Sequence, residues 1–177
     1  VPRLAAALKE RGLGRARIGL ELDYLPAADF AALAAELPEA GFVATDSWLA
    51  RLRQIKDPEA VALIGRLARI ADRAIADALA SVGPGDTEMD IAGALTRNVF
   101  EAGAEDFRLL IVATGERSQL PNVGPTDRVL TRGDVCRVEI FTVIGGYHAG
   151  VCRTAVVEEA PHGAAAIWDV LTGCKHQ

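Results

Sequence analysis

Cysteine is scarce in this chain. Cys136, Cys152 and Cys174 make an odd count with no C-x-x-C spacing, which argues against both a disulfide framework and a zinc knuckle and leaves reduced thiols as the expectation. No apolar run approaches the ~20 residues of a membrane span, and VPRLAAALKERG at the N-terminus lacks the apolar core and cleavage pattern of a signal peptide. A cytoplasmic location without a membrane partner is expected. Basic runs are missing as well: 19 Lys and Arg against 24 Asp and Glu are dispersed along the chain for a net charge of -5, which speaks against a nucleic-acid partner. There is no internal repeat and no low-complexity segment.

What is present is the composition of a compact chain with both helices and strands. Half of the 177 residues are hydrophobic and a quarter charged, enough to bury roughly 70% of the unfolded surface. Residues 1–50 alternate helix and strand signals: LAAALKERGL is amphipathic, RIGLEL is a short apolar strand, ADFAALAAEL is helical and GFVAT is a second strand. Connections this short predict αβαβ with parallel strands. Such a unit begins on a helix and offers only two strands, so the expectation is a chain that starts partway through a larger domain.

The strongest helix signal is DPEAVALIGRLARIADRAIADALASVGPG, with Asp57 as N-cap, Pro58 at the first helical position and Glu59 at the positive dipole end. Its broad apolar face takes Leu63, Leu67, Ile70 and Ala74 beside Val61, Ile64, Ala68, Ala71 and Ile75, and Gly83-Pro84 stops it. A second helix follows, with Thr87 as cap and Asp90 completing a partial capping box; Ile91, Leu95 and Val99 line one side, and the helix ends at Gly103. DFRLLIVATG then reads as a buried strand, SQLPNVGPTDRVLTRGD as a loop, EEAPHG as a turn and AAAIWDVL as the start of a helix.

GDVCRVEIFTVIGGYHAGVCRTAVV, residues 133–157, reads as two strands around a Gly145-Gly146 turn. With Ile144 opposite Tyr147, the side chains sort onto two faces. Cys136, Val138, Ile140, Thr142, Ile144, Tyr147, Ala149, Val151, Arg153 and Ala155 form a core face. The other face is mixed, with Arg137, Glu139, Phe141, Val143, His148, Gly150, Cys152, Thr154 and Val156; Glu139 lies opposite Cys152 and diagonal to Gly150. This split places Cys136 and Cys152 on opposite sides, against a disulfide between them. A glutamate in a strand interior is disfavoured, so Glu139 calls for water, Arg137 or a functional partner. By spacing alone His148 reads as an exposed histidine beside a turn and Cys152 as a buried, inert thiol.

Three ordered segments carry a resemblance. LARLRQIKDPEAVALIGRLARIADRAI, VGPGDTEMDIAGAL with its Pro-Gly-x-Thr-Glu turn, and GDVCRVEIFTVIGGYHAGVCRT with its Gly-Asp, Gly-Tyr and Arg-Thr frame together resemble the aminopeptidase P, prolidase and creatinase superfamily. The resemblance spans about residues 49–157. It implies an α+β fold: residues 49–177 as the first half of a pita-bread catalytic domain, preceded by residues 1–48 as the C-terminal part of the family's α/β N-terminal domain. It further implies a curved antiparallel sheet covered by helices, and a homodimer or a complementing chain as partner.

The same resemblance brings an expectation about metals. Metal-dependent members carry two aspartates on this hairpin that bridge a dinuclear Mn, Co or Zn centre, and a histidine that follows a proline in the preceding loop. Here the aspartate positions hold Glu139 and Gly150, and the loop reads Pro121-Asn122. Glycine offers no ligand and one carboxylate cannot hold two ions, so no cofactor is expected. Creatinase, the metal-free branch, is not matched either: Asn122 replaces its acid/base histidine and Cys152 stands where it has a glutamate. The leading expectation is therefore a divergent, metal-free hydrolase of a peptide, amide or amidine C–N bond, acting on a small molecule or short peptide. Glu139 and His148 are its catalytic candidates, and Glu139, Asn122 and Arg153 its substrate-binding candidates. The alternatives are a metal-dependent Xaa-Pro peptidase with unusual ligands and an inactive pita-bread protein kept for binding or assembly.

Overall fold

The computed structural model describes residues 1–175, and the chain divides into two compact units, Val1–Asp57 and Pro58–Gln177. The first contains α1 (Pro2–Glu10), β1 (Arg17–Leu20), α2 (Ala27–Glu36), β2 (Gly41–Ala44) and α3 (Asp46–Gln54). β1 and β2 run parallel, Arg17 opposite Gly41 and Leu20 opposite Ala44, as the short αβαβ spacing requires. A small core of Ala5, Leu33 and Leu37 packs with Leu8, Ile18, Leu20 and Phe42.

α3 follows β2 with only Thr45 between them. Polar ties fix its start and end: the Asp46 carboxylate accepts from the Leu22 and Asp23 amides at 3.2 and 3.1 Å, and Arg53 donates to Glu21 at 2.7 Å. These contacts reach more than twenty residues back along the chain, where local periodicity carries no signal.

The second unit holds α4 (Pro58–Ala80), α5 (Glu88–Glu101), β3 (Asp106–Thr114), β4 (Val135–Ile144), β5 (Tyr147–Val156) and α6 (Ala164–Lys175), with a 3-10 turn at Gly115–Gln119. Thr87 caps α5 in a full capping box: its hydroxyl oxygen accepts from the Asp90 amide at 3.2 Å while the Asp90 carboxylate accepts from the Thr87 amide at 2.8 Å. On α4 the buried side is Ala60, Leu67, Ile70, Ala71, Ala74, Ile75 and Ala78. Val61, assigned to that face from periodicity, points away and is 59% exposed.

The strands form an antiparallel sheet in the order β3-β4-β5. The hairpin register is the one its turn dictates, from Val135 opposite Val156 to Ile144 opposite Tyr147. Gly145 and Gly146 both have positive φ, 56° and 79°, as a type I′ turn requires. β3 bulges between Phe107 and Leu110, which lets the neighbouring Arg108 and Leu109 stay exposed. α4 and α5 cover one face of the sheet, over a core that includes Ile75, Ile91, Leu95, Val112, Val138 and Ile140. Buried Thr142 ties the sheet to α4, its hydroxyl donating to the Leu67 carbonyl at 3.1 Å.

Candidate active site on the open face of the sheet

The face turned away from α4 and α5 presents the mixed set of side chains. Glu139 sits on the central strand, with Ile111 of β3 on one side and Cys152 of β5 on the other. The residue is half-buried and its carboxylate, among the described residues, makes no hydrogen bond or ion pair. Its acceptor oxygens are therefore open to a donor or cation from a ligand.

Two residues before Glu139, Arg137 extends from the same face to the loop. Its guanidinium donates to the carbonyls of Leu120 and of Pro121, the latter at 2.7 Å, while its Nε is buried without a partner among the described residues. Arg137 therefore holds the loop at the residue just before Asn122, whose side chain is exposed.

His148 is exposed on the same face, opposite Val143. Four residues of strand separate that rung from Glu139, about 13 Å at the rise of a β-strand. Between them lies the rung of Phe141 and Gly150. Arg153 is on the other side of the sheet, where it donates to Asp72 of α4 at 2.6 Å, both side chains about half exposed. The fold thus brings Glu139, the Asn122 loop and His148 to one face and gives Arg153 to the helix side.

Cys152 departs from the buried thiol expected from the sequence: it is exposed, because nothing among the described residues covers this part of β5. Partial burial of the sulfur and the neighbouring Glu139 charge push its pKa up, which disfavours the reactive thiolate. Cys136, in the core, is pushed up to about 11 chiefly by burial.

The most developed polar cluster lies at the base of the loop and was not singled out from the sequence. Glu88, fully buried, accepts from the Thr114 amide and hydroxyl at 2.8 and 2.9 Å and from the Thr126 amide and hydroxyl at 2.9 and 2.8 Å. Arg117 completes it with an ion pair. Burial alone would raise the Glu88 pKa, but the hydrogen bonds from Thr126 and Thr114 prevail and hold it below its ordinary value. Beside it, Arg128 pairs with Asp134 through both nitrogens, at 2.5 and 3.0 Å, and with Glu116 at 2.9 Å. The Arg128 guanidinium, hydrogen-bonded to it, holds the Asp134 carboxyl below its usual range. The only trace of this cluster in the sequence is the Thr-Glu and Gly-Asp of the motifs quoted above.

A dinuclear metal centre fits these residues poorly. No group of three or more His, Cys, Asp or Glu among the described residues is arranged to hold an ion. Gly150 has no side chain, and a Cβ there would stand 2.5 Å from two ring atoms of Phe141. Hard divalent ions require several oxygen donors; among the described residues this face offers Glu139 on the central strand and Asp106 a full four residues of β4 away, on the rung of Val143 and His148.

Comparison with known proteins places this geometry in a family. The model of metallopeptidase family M24 matches residues 62–176, and that of the creatinase/prolidase N-terminal domain matches residues 1–55. An X-Pro aminopeptidase from Thermotoga maritima superposes with a TM-score of 0.90 at 23% identity, over 99% of this chain and 49% of its own. An Xaa-Pro dipeptidase from Bacillus anthracis gives 0.84 at 28% identity, over 95% and 47%. A probable dipeptidase of Mycobacterium tuberculosis, PepE, is 30% identical over 84% of this chain and 40% of its own length. The chain spans less than half the length of each of these relatives, and over that span it has the α+β fold of the pita-bread peptidases. By the extent of the family match, this chain belongs to metallopeptidase family M24.

Proposed function

We propose that the protein is a hydrolase of a C–N bond in a short peptide, amide or amidine, and that it works without the divalent metal pair. The observation that carries this reading is half-buried Glu139 on the central strand of the open face, its carboxylate without a partner among the described residues. Glu139 receives a cationic group of the substrate, and Asn122, on the loop held by Arg137, hydrogen-bonds a polar group but cannot shuttle protons. His148 is the group for proton transfer, because an imidazole nitrogen can both accept and donate a proton. At about 13 Å from Glu139 by strand rise, it serves a different part of the substrate, so the ligand spans the Phe141 rung. Peptidase names among the relatives, such as the Xaa-Pro dipeptidase of Pyrococcus furiosus, support the substrate class.

The protein acts in the cytoplasm and as a homodimer or with a complementing chain. Support for a partner comes from α6, which leaves Ile167, Trp168, Val170 and Leu171 more than half exposed and borders an apolar groove of about 520 Å³ with Val135, Thr154 and Val156. The family's description as metallopeptidases favours one second reading, metal-dependent Xaa-Pro peptidase activity with unusual ligands.

Metal analysis of the full-length protein, with turnover assays on amide, amidine and Xaa-Pro substrates, separates the two. Turnover without stoichiometric Mn, Co or Zn, lost in Glu139→Gln, is the expected result. Tightly held metal together with metal-dependent Xaa-Pro cleavage would overturn it, and neither metal nor turnover would favour a binding protein.

A further inference from the structure

Gly150 is a glycine for an unusual reason. Gly145 and Gly146, in the turn of the same hairpin, have positive φ, and a Cβ on either would meet nothing within 4 Å. Gly150 is the reverse: its φ is not positive, so the backbone would accept any residue, yet a Cβ would meet Phe141 Cε1 and Cζ at 2.5 Å and Cδ1 at 2.8 Å. The two residues are direct cross-strand partners. The ring of Phe141 lies across the glycine backbone, an arrangement in which an aromatic shields a strand glycine. It also occupies the rung between Glu139–Cys152 and Val143–His148.

We propose that Phe141 is a specificity-determining residue of the open face: its ring, seated on Gly150, fills the place that a side chain at position 150 would take, so the face offers an aromatic floor beside the Glu139 carboxylate in place of a seat for bridged divalent cations. The substrate class follows, resting on the reading of Glu139 and His148 above. A ligand reaching from one to the other crosses the ring, so its middle is apolar or planar and its cationic end meets Glu139. A carboxylate at position 150 would lie diagonal to Glu139, ~7–8 Å away between Cα atoms, close enough for two acidic side chains to share an ion once the ring is gone.

The test is a mutant cycle on the full-length protein, read by thermal denaturation and by titration with Mn²⁺ alone. Gly150→Ala should lower Tm by about 3 °C when Phe141 is present, because the ring must leave its seat. In a Phe141→Ala background the same change should leave Tm unchanged or raise it, since alanine restricts the unfolded chain more than glycine does. The double variant Phe141→Ala/Gly150→Asp should bind Mn²⁺ at least ~10-fold more tightly than Gly150→Asp alone, a gap of about 1.4 kcal/mol. The proposal is overturned if Gly150→Ala has the same effect on Tm in both backgrounds, or if Gly150→Asp binds Mn²⁺ as well with the ring as without it. If Gly150→Asp does not fold, the alanine pair still decides. Neither readout depends on turnover, so failure of the hydrolase reading and failure of the ring's role are distinguishable.

Discussion

The two faces of the β3-β4-β5 sheet come from the same strands read at alternate residues, and they are built to different ends. Under α4 and α5, Val138 and Ile140 are fully buried and even Thr142 donates its hydroxyl to a helix carbonyl. On the opposite face Ile111 and Val143 are buried too, but Arg137 and Glu139 are half-buried and Cys152, across the hairpin from Glu139, is exposed. The packed face specifies the fold, because the apolar area it removes from water is what stabilises the sheet. The open face carries polar groups whose placement adds little stability, and Glu139 stands there with its bonding capacity unused. Groups that cost stability and are nevertheless held in place are where function is sought.

Substitutions can break or sharpen that contrast. The largest effect is expected where the polar network is buried: Glu88→Ala removes the acceptor of two threonines and the partner of Arg117. It should cost about 3 kcal/mol or more, seen in urea or thermal melts. Ile140→Ala on the packed face should cost ~3 kcal/mol through the cavity it leaves. If its cost matched that of a Cys152 substitution, the distinction between the faces would be lost.

Acid should act on the same cluster. The Glu88 and Asp134 pKa values are depressed in the folded state, so their contribution is fully present above the ordinary carboxylate pKa of about 4. It is lost as pH falls through their lower folded values. Denaturant midpoints measured down the acid range should therefore drop, and Glu88→Gln should flatten the drop. Arg153→Ala removes an ion pair with about half of each side chain exposed and should cost no more than about 1 kcal/mol. Cys152→Ala, on the exposed strand, should fall within ~0.5 kcal/mol of zero; a larger loss would mean that something covers this face.

Local patterning made much of this legible. The hairpin register follows from Gly145-Gly146, the capping box from Thr87 and Asp90, and the two faces from strict alternation along β4 and β5. The resemblance carried by the Pro-Gly-x-Thr-Glu and Arg-Thr motifs is matched by the family model over residues 62–176. What sequence could not show is contact between distant residues. That Glu88 would be buried under Thr114, Arg117 and Thr126 depends on a loop closing back over 38 positions. Arg153 belongs to α4 through Asp72 because a helix 81 residues earlier lies over its face. The exposure of Cys152 and the seating of Phe141 on Gly150 depend on what does or does not cover β5, which alternation alone leaves open.

The central proposal is that the open face works through the Glu139 carboxylate and without bridged ions. Equilibrium dialysis of the full-length protein against Mn²⁺, Co²⁺ and Zn²⁺, followed by metal analysis beside Glu139→Gln, tests it most directly. The account predicts no retained metal above that control while substrate turnover persists in chelator. A pair of ions retained by the protein and lost in Glu139→Gln would contradict it.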